Sequence, residues 1–183
     1  MQWYIKTGKV SKKKMASGSH FNIVPSWNIE DYKKLKYKLD THKDNEDNQR
    51  YIDAGHNKDS LTLYNYFEPN KMPTSIIYIK SQFPSLKNIS VAINLFKPGQ
   101  YMPIHYDRFT AYKKHHNIPK GSDICRHMVM LEDHEEGQML QIGKQINTGW
   151  EAGSVYKWNN SDIHTFYNLS TKDRYAVQVT GTY

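Results

Sequence analysis

Residues 94 to 107 read Asn94-Leu-Phe-Lys-Pro-Gly-Gln-Tyr-Met-Pro-Ile-His-Tyr-Asp107. An apolar run breaks at Pro98-Gly99, a pair that favours a turn, and a second short run then delivers His105 and Asp107. In an extended strand, residues two apart project to the same side, so this imidazole and this carboxylate can reach one point. The surrounding texture repeats the pattern. Short β-branched or aromatic runs occupy 89–96, 101–105, 124–131, 138–142, 144–147, 154–158, 164–169 and 175–180. Between them fall turn residues such as Gly121, Gly137, Gly143, Gly149, Gly153 and Asn159-Asn160. Eight short strands in about 95 residues imply an antiparallel sandwich or jelly roll, an architecture that protects strand edges.

Ahead of this block the composition is helical. Asn28 can cap a helix over 28–39, acids follow in its first turn, and Tyr32, Leu35 and Leu39 recur at helical spacing. It ends in a polar stretch from Asp40 to Asn48. A second helix is expected over 74–81, carrying Ile76, Ile77 and Ile79 and stopped by Pro84. The chain therefore divides into a basic tail at 1–20, a helical support layer at 21–88 and a β core at 89–183, all within one domain.

Composition narrows the function classes. The single Cys125 cannot form an internal disulfide, and no Cys/His array offers a structural zinc site, so a reducing, cytoplasmic setting is expected. No apolar stretch is long enough for a membrane span, and no apolar leader opens the chain. The formal charge of +7 suggests a nucleic-acid partner until it is located. Lys6, Lys9, Lys12, Lys13 and Lys14 supply +5 without an acid, whereas 89–183 holds ten basic and nine acidic residues. A lysine run of this kind reads as a solvated arm.

The residues that carry chemistry are His105, Asp107, His164 and Arg174. A histidine from a distant strand would complete a facial set of two imidazoles and one carboxylate, leaving open positions that suit non-haem Fe(II) and its oxygen chemistry. This constellation resembles the Fe(II)/2-oxoglutarate-dependent oxygenases over residues 89–181. The resemblance implies a double-stranded β-helix, a cupin-like jelly roll with the N-terminal helices packed on one sheet. It makes His105, Asp107 and His164 the catalytic iron ligands and Arg174 the grip on the far carboxylate of 2-oxoglutarate. The ten-residue step from His164 to Arg174 is similar to the aspartyl/asparaginyl hydroxylases, and the intact His-x-Asp is closer to the prolyl hydroxylases. The stretch 131–142 followed by Trp150-Glu-Ala-Gly153 is similar to small stand-alone members from bacteria and phages. Asp107 argues against the halogenase branch, where a small residue leaves room for halide.

The implied cofactors are Fe(II), 2-oxoglutarate as co-substrate and O2, with ascorbate as a reductant. The implied reaction converts 2-oxoglutarate to succinate and CO2 while hydroxylating a substrate C–H bond. A peptide or protein substrate is the leading expectation. A nucleic-acid base, a small metabolite, or a cupin-like metal protein without turnover are the alternatives. Thr165, Tyr156 and Ser154 are candidate hydroxyls beside Arg174. Asn94 is a candidate 2-oxoglutarate contact, although Phe96 stands where the comparable motif has Tyr. Arg126 and His127 are strand neighbours that must face opposite ways; Arg126 is expected to meet an oxygen of 2-oxoglutarate or of substrate. His115-His116 belongs to a polar connection over 108–123, and Trp150 and Trp158 read as core anchors.

Overall fold

The structure is a computed structural model that describes residues 18–40, 46–68 and 70–183; the lysines of the tail and residues 41–45 of the polar stretch lie outside the described residues. Chain order begins with β1 (His20–Asn22), α1 (Ile29–Lys33), β2 (Lys38–Asp40), α2 (Glu46–Asp53), β3 (Leu63–Tyr66) and α3 (Thr74–Tyr78). It continues through β4 (Lys87–Phe96), β5 (Gln100–His105), α4 (Thr110–His116), β6 (Ile124–Met130), β7 (Gln138–Ile142) and β8 (Gln145–Asn147). The last three strands are β9 (Ser154–Asn159), β10 (His164–Asn168) and β11 (Arg174–Thr182). All eight runs of the β block are strands, with ends shifted by no more than about two residues.

The Pro98-Gly99 turn is a corner. The Gln100 amide donates to the Lys97 carbonyl at 3.0 Å, and Gly99 takes a φ of 79°, the left-handed value that the third position of a type II turn demands. This turn passes the chain from β4 in a seven-stranded sheet, ordered β1-β9-β6-β11-β4-β3-β2, to β5 in a four-stranded sheet, ordered β5-β10-β7-β8. All ladders are antiparallel.

Period-two alternation sorts the side chains of the larger sheet. Cys125, Val129, Val155, Val177 and Val179 join the outer core cluster, while Met128, Met130, Tyr156, Trp158 and Ala176 point inward to meet Leu140, Ile142 and Phe166 of the smaller sheet. The outer cluster is covered by Tyr32 of α1, by Ile76 of α3, and by Ile79 and Phe83, all buried. Each such aliphatic or aromatic side chain contributes about 1.5–3 kcal/mol by leaving water.

The N-terminal region departs from a purely helical layer. α1 starts with the capping box at Asn28 and Asp31, yet it stops at Lys33. Leu35 and Tyr37 turn into the outer core, the Tyr37 hydroxyl donates to the Tyr32 carbonyl at 2.8 Å, and residues 38–40 pair with β3. Strand pairing and burial override the helical spacing of 28–39. Three strands from this region thus extend the larger sheet at both edges. The second helix appears as α3 followed by a 3-10 turn over Ile79–Gln82. The polar connection 108–123 contains α4, which the sequence reading missed. Among the described residues no helix is long and apolar enough to cross a membrane.

Candidate metal centre

His105 closes β5 and His164 opens β10, and the two are direct cross-strand partners. Their rings lie 4.3 Å apart between centroids. Asp107 follows two residues beyond β5, and one ligand atom from each of the three residues lies within 4.8 Å of the others. The imidazoles are oriented by their own backbone. His105 Nδ1 donates to the Pro103 carbonyl at 2.7 Å and His164 Nδ1 to the Asp162 carbonyl at 3.0 Å. A carbonyl only accepts, so each Nδ1 carries the proton and each Nε2 keeps a free lone pair, the state in which histidine binds a metal. Burial pushes His164 down to about 4, and the nearby His105 and Arg126 act in the same direction against Asp107. The His164 ring is therefore neutral at pH 7, and its 3.6 Å approach to Asp107 Oδ2 is not an ion pair but brings together two groups that could share a metal ion.

Asp107 is held on both oxygens. Arg126 Nη1 donates to Oδ1 at 2.8 Å, and Trp158 Nε1 donates to Oδ2 at 2.8 Å. Burial works to raise this carboxyl, but Arg126, His164, the Trp158 hydrogen bond and His105 together hold it below its ordinary value. Arg126 is fixed in turn: Nε donates to Thr180 Oγ1 at 3.2 Å, and the guanidinium lies 4.9 Å from the centre of the Phe109 ring. Phe109 has a φ of 51°, a rare conformation for a bulky side chain, at the point where the chain turns from Asp107 into α4. Arg126 faces the pocket and grips the protein's own carboxylate. His127 points the other way into the outer core against Phe21 and Phe83.

The sequence marks Trp158 as a core anchor and leaves Phe109 open as core, rim or substrate platform; it does not point to Thr180. The Trp158 contact depends on the register that sets Arg126 opposite Trp158 and Thr180. A strand pattern without its pairing does not reveal that register.

Arg174 opens β11 on the inner face. It is 3% exposed, its guanidinium stacks over Trp150 and Phe166, and Nη2 contacts Met130 Sδ at 2.9 Å. Nε and Nη1 are buried without a hydrogen-bond partner. Burial pushes this guanidinium well below its usual value, opposed by the Tyr156 phenol. A buried cation with two idle donors is costly unless an anion meets it. Of the three hydroxyls singled out from sequence, Thr165 donates to the Met102 carbonyl and Ser154 accepts from the Glu151 amide, while Tyr156 lies in the inner core cluster. Asn94 is also on the inner wall. Its amide nitrogen donates to Asn65 Oδ1 on the adjacent strand, and its own Oδ1 lacks a partner.

Arg174 also borders a cleft of about 640 Å³, whose walls include Glu132, Asp133, Glu135 and Asp173. Lys33 and Lys172 line the same cleft and pair with Glu132 and Glu135, so these carboxylates are taken up locally and none bonds the idle Arg174 donors.

A scan against protein-family models and a search of curated proteins each found no match. Solved structures do match. A Pseudomonas putida prolyl-4-hydroxylase superimposes with a TM-score of 0.51 at 10% identity, covering 84% of this chain and 96% of that one. The fold is a cupin-type double-stranded β-helix. A predicted oxalate decarboxylase from Thermotoga maritima aligns with a TM-score of 0.42 at 11% identity, over 67% of this chain and 82% of that chain. A double-stranded β-helix protein from Klebsiella pneumoniae aligns with a TM-score of 0.37 at 15% identity, over 52% and 70% of the two chains. At such identities the likeness concerns the fold alone.

Proposed function

We propose that the protein is an Fe(II)- and 2-oxoglutarate-dependent dioxygenase that hydroxylates a C–H bond of a peptidyl residue, prolyl or aspartyl/asparaginyl. The observation that carries this reading is Arg174, whose two buried, unpartnered N–H groups lie on the inner side of the larger sheet, across the space between the sheets from the two histidines of the smaller sheet. A cluster alone would suit several divalent metals; the idle guanidinium adds a demand for a carboxylate ligand. The prolyl-4-hydroxylase named among the similar structures is compatible with it.

Bound iron with 2-oxoglutarate and O2 supplies the oxidation, yielding succinate and CO2 as one oxygen atom enters the substrate. The protein's own residues supply the rest. His105, Asp107 and His164 offer three donors, and the exposed side of the cluster is left for other ligands. Arg126 and Trp158 fix the plane of the Asp107 carboxylate, so only its orientation toward His105 and His164 is available for binding. Arg174 would take the remote carboxylate of 2-oxoglutarate in a two-point grip that Lys cannot offer. Met130 and Phe166 around the guanidinium exclude water and so strengthen that charge pairing.

The test is anaerobic titration of the full chain with Fe(II) and then 2-oxoglutarate, followed by a succinate-release assay over peptide, oligonucleotide and amino-acid pools. A weak visible charge-transfer band and succinate release stimulated by the peptide pool are the expected results. No band overturns the cofactor assignment, and stimulation by another pool alone overturns the substrate class.

A further inference from the structure

The near-neutral charge of the β core conceals a separation between the two ends of the barrel. The metal cluster marks one end, because His105 ends β5, His164 begins β10, and Trp158 and Thr180 sit near the ends of β9 and β11. Loops at this end are 106–123, 143–144 and 160–163. Apart from Asp107, they carry Arg108, Lys113, Lys114, Lys120 and Lys144 against Asp123 and Asp162. From Arg108 to Ser122 there is no acid at all. The opposite end has loops 97–99, 131–137, 148–153 and 169–173. These hold six acids, four of them between Glu132 and Glu136, against Lys97 and Lys172.

The two ends also differ in how their charges are used. At the far end, Glu132 pairs with Lys33 at 2.6 Å and Glu135 with Lys172. At the metal end, none of the five bases is held in a salt bridge among the described residues, and all are exposed or half-exposed. Lys113 donates to the Arg108 carbonyl, which folds this basic segment over the turn after Asp107. From the N-terminal layer Lys80 acts electrostatically on His116 of α4, whose Nε2 lies 2.8 Å from Ser90 Oγ, while α2, tied to Ile104 through Arg50 and Tyr51, brings the acids Glu46, Asp47 and Asp53 to one side of this end.

We infer that the rim of the metal end binds an acidic polypeptide segment, with Asp or Glu side chains flanking the residue that enters the site. This rests on the oxygenase reading only for what happens to that residue; the binding surface stands on its charges. A barrel with a positive mouth and a negative base orients and attracts an anionic partner mouth-first. An acidic peptide fits better than nucleic acid. The excess over this rim is three charges, enough to meet two or three carboxylates, whereas a phosphate strand places a charge about every 3.4 Å and would run across Asp123 and Asp162.

The experiment measures binding of a fluorescein-labelled peptide with Glu at alternate positions, its Gln counterpart, and a single-stranded oligothymidylate to the full chain. The Glu peptide should bind roughly tenfold more tightly than the Gln peptide, with an advantage that shrinks as salt is raised. Lys113→Glu with Lys114→Glu should abolish that advantage, Lys144→Glu on a separate turn should reduce it, and Glu136→Lys with Glu151→Lys at the far end should leave it in place. Equal binding of the two peptides, an equal loss in the far-end variant, or preference for the oligonucleotide would each overturn the inference. The Fe(II)–2-oxoglutarate absorption band of the wild-type protein separately judges the oxygenase reading, because peptide binding does not depend on it.

Discussion

Replacing Arg174 by Met separates a residue kept for stability from one kept for a ligand. Met is of similar length, removes the charge, and can occupy the slot against Met130, Trp150 and Phe166. The wild-type guanidinium gains from stacking on two rings, worth up to about 2 kcal/mol each when desolvated. Against this stands a desolvation cost of several kcal/mol for an ion that, among the described residues, finds no carboxylate. The ligand-free variant should therefore be more stable by about 1–3 kcal/mol, a rise in Tm of roughly 3–10 °C for a chain of this size. Binding should change in the opposite direction. Each idle edge of the guanidinium offers a charge-assisted hydrogen bond at about 1.5–3 kcal/mol, with Nη2 shared between them, so 2-oxoglutarate affinity should fall by roughly tenfold to a hundredfold or more. Thermal melts with and without 2-oxoglutarate and Mn(II) measure both effects, since a ligand raises Tm only where it binds the folded state. A destabilised ligand-free variant, or one that binds 2-oxoglutarate within a few-fold of wild type, would refute the assignment of Arg174 as an anion site.

Alanine at His105, Asp107 or His164 should remove high-affinity Fe(II) or Co(II) binding, followed by calorimetry, while the circular dichroism spectrum and the bulk of the fold persist; unfolding of all three would show that the cluster is structural. Trp158→Phe keeps an aromatic ring in the inner core but deletes the donor to Asp107 Oδ2, and should weaken metal binding about 10- to 100-fold with little change in Tm. His127, on the opposite face of β6, provides a pH test away from the metal. Burial pushes it down to about 3 from an ordinary value near 6.5, so the unfolded chain binds the extra proton between those limits and stability falls as pH drops through that window. Between pH 7.5 and pH 5 this one group should cost about 2 kcal/mol, and His127→Phe should flatten the slope in urea denaturation by that amount. An unchanged slope would mean that His127 is not neutral in the folded protein.

The strands and the His105–Asp107 pair were legible because both are encoded locally, whereas His164 came only through the family resemblance. Turn residues and period-two alternation delimit β4 to β11, and a His-x-Asp at a strand end needs no knowledge of pairing. What escaped the sequence was anything set by register or by competition between elements. Leu35 and Leu39 fit a helix, but Tyr37 had a core position available and residues 38–40 had an open strand edge at β3, so the helix ended at Lys33. Parity required Arg126 and His127 to face opposite ways and Arg126 was expected to meet an oxygen of 2-oxoglutarate or of substrate, but the cross-strand alignment with Thr180 and Trp158 sets it on Asp107 instead. Total charge was similarly uninformative, since a sum over 89–183 cancels loops that lie at opposite ends of the barrel.

The three-residue β1 has a role out of proportion to its length. It pairs with β9 and forms one border of the larger sheet. The chain then leaves so close to Gly153 that an added Cβ there would collide with the Ile23 carbonyl, and the Ile23 amide donates to the Gly153 carbonyl at 2.9 Å. Without this seal, β9 would present a row of unpaired amides and carbonyls beside Trp158, open to a strand of any other molecule. Residues 18–23 thus cover the edge of β9 with a strand only three residues long, and a shortened chain starting beyond them would expose that longer edge without touching His105, Asp107 or His164.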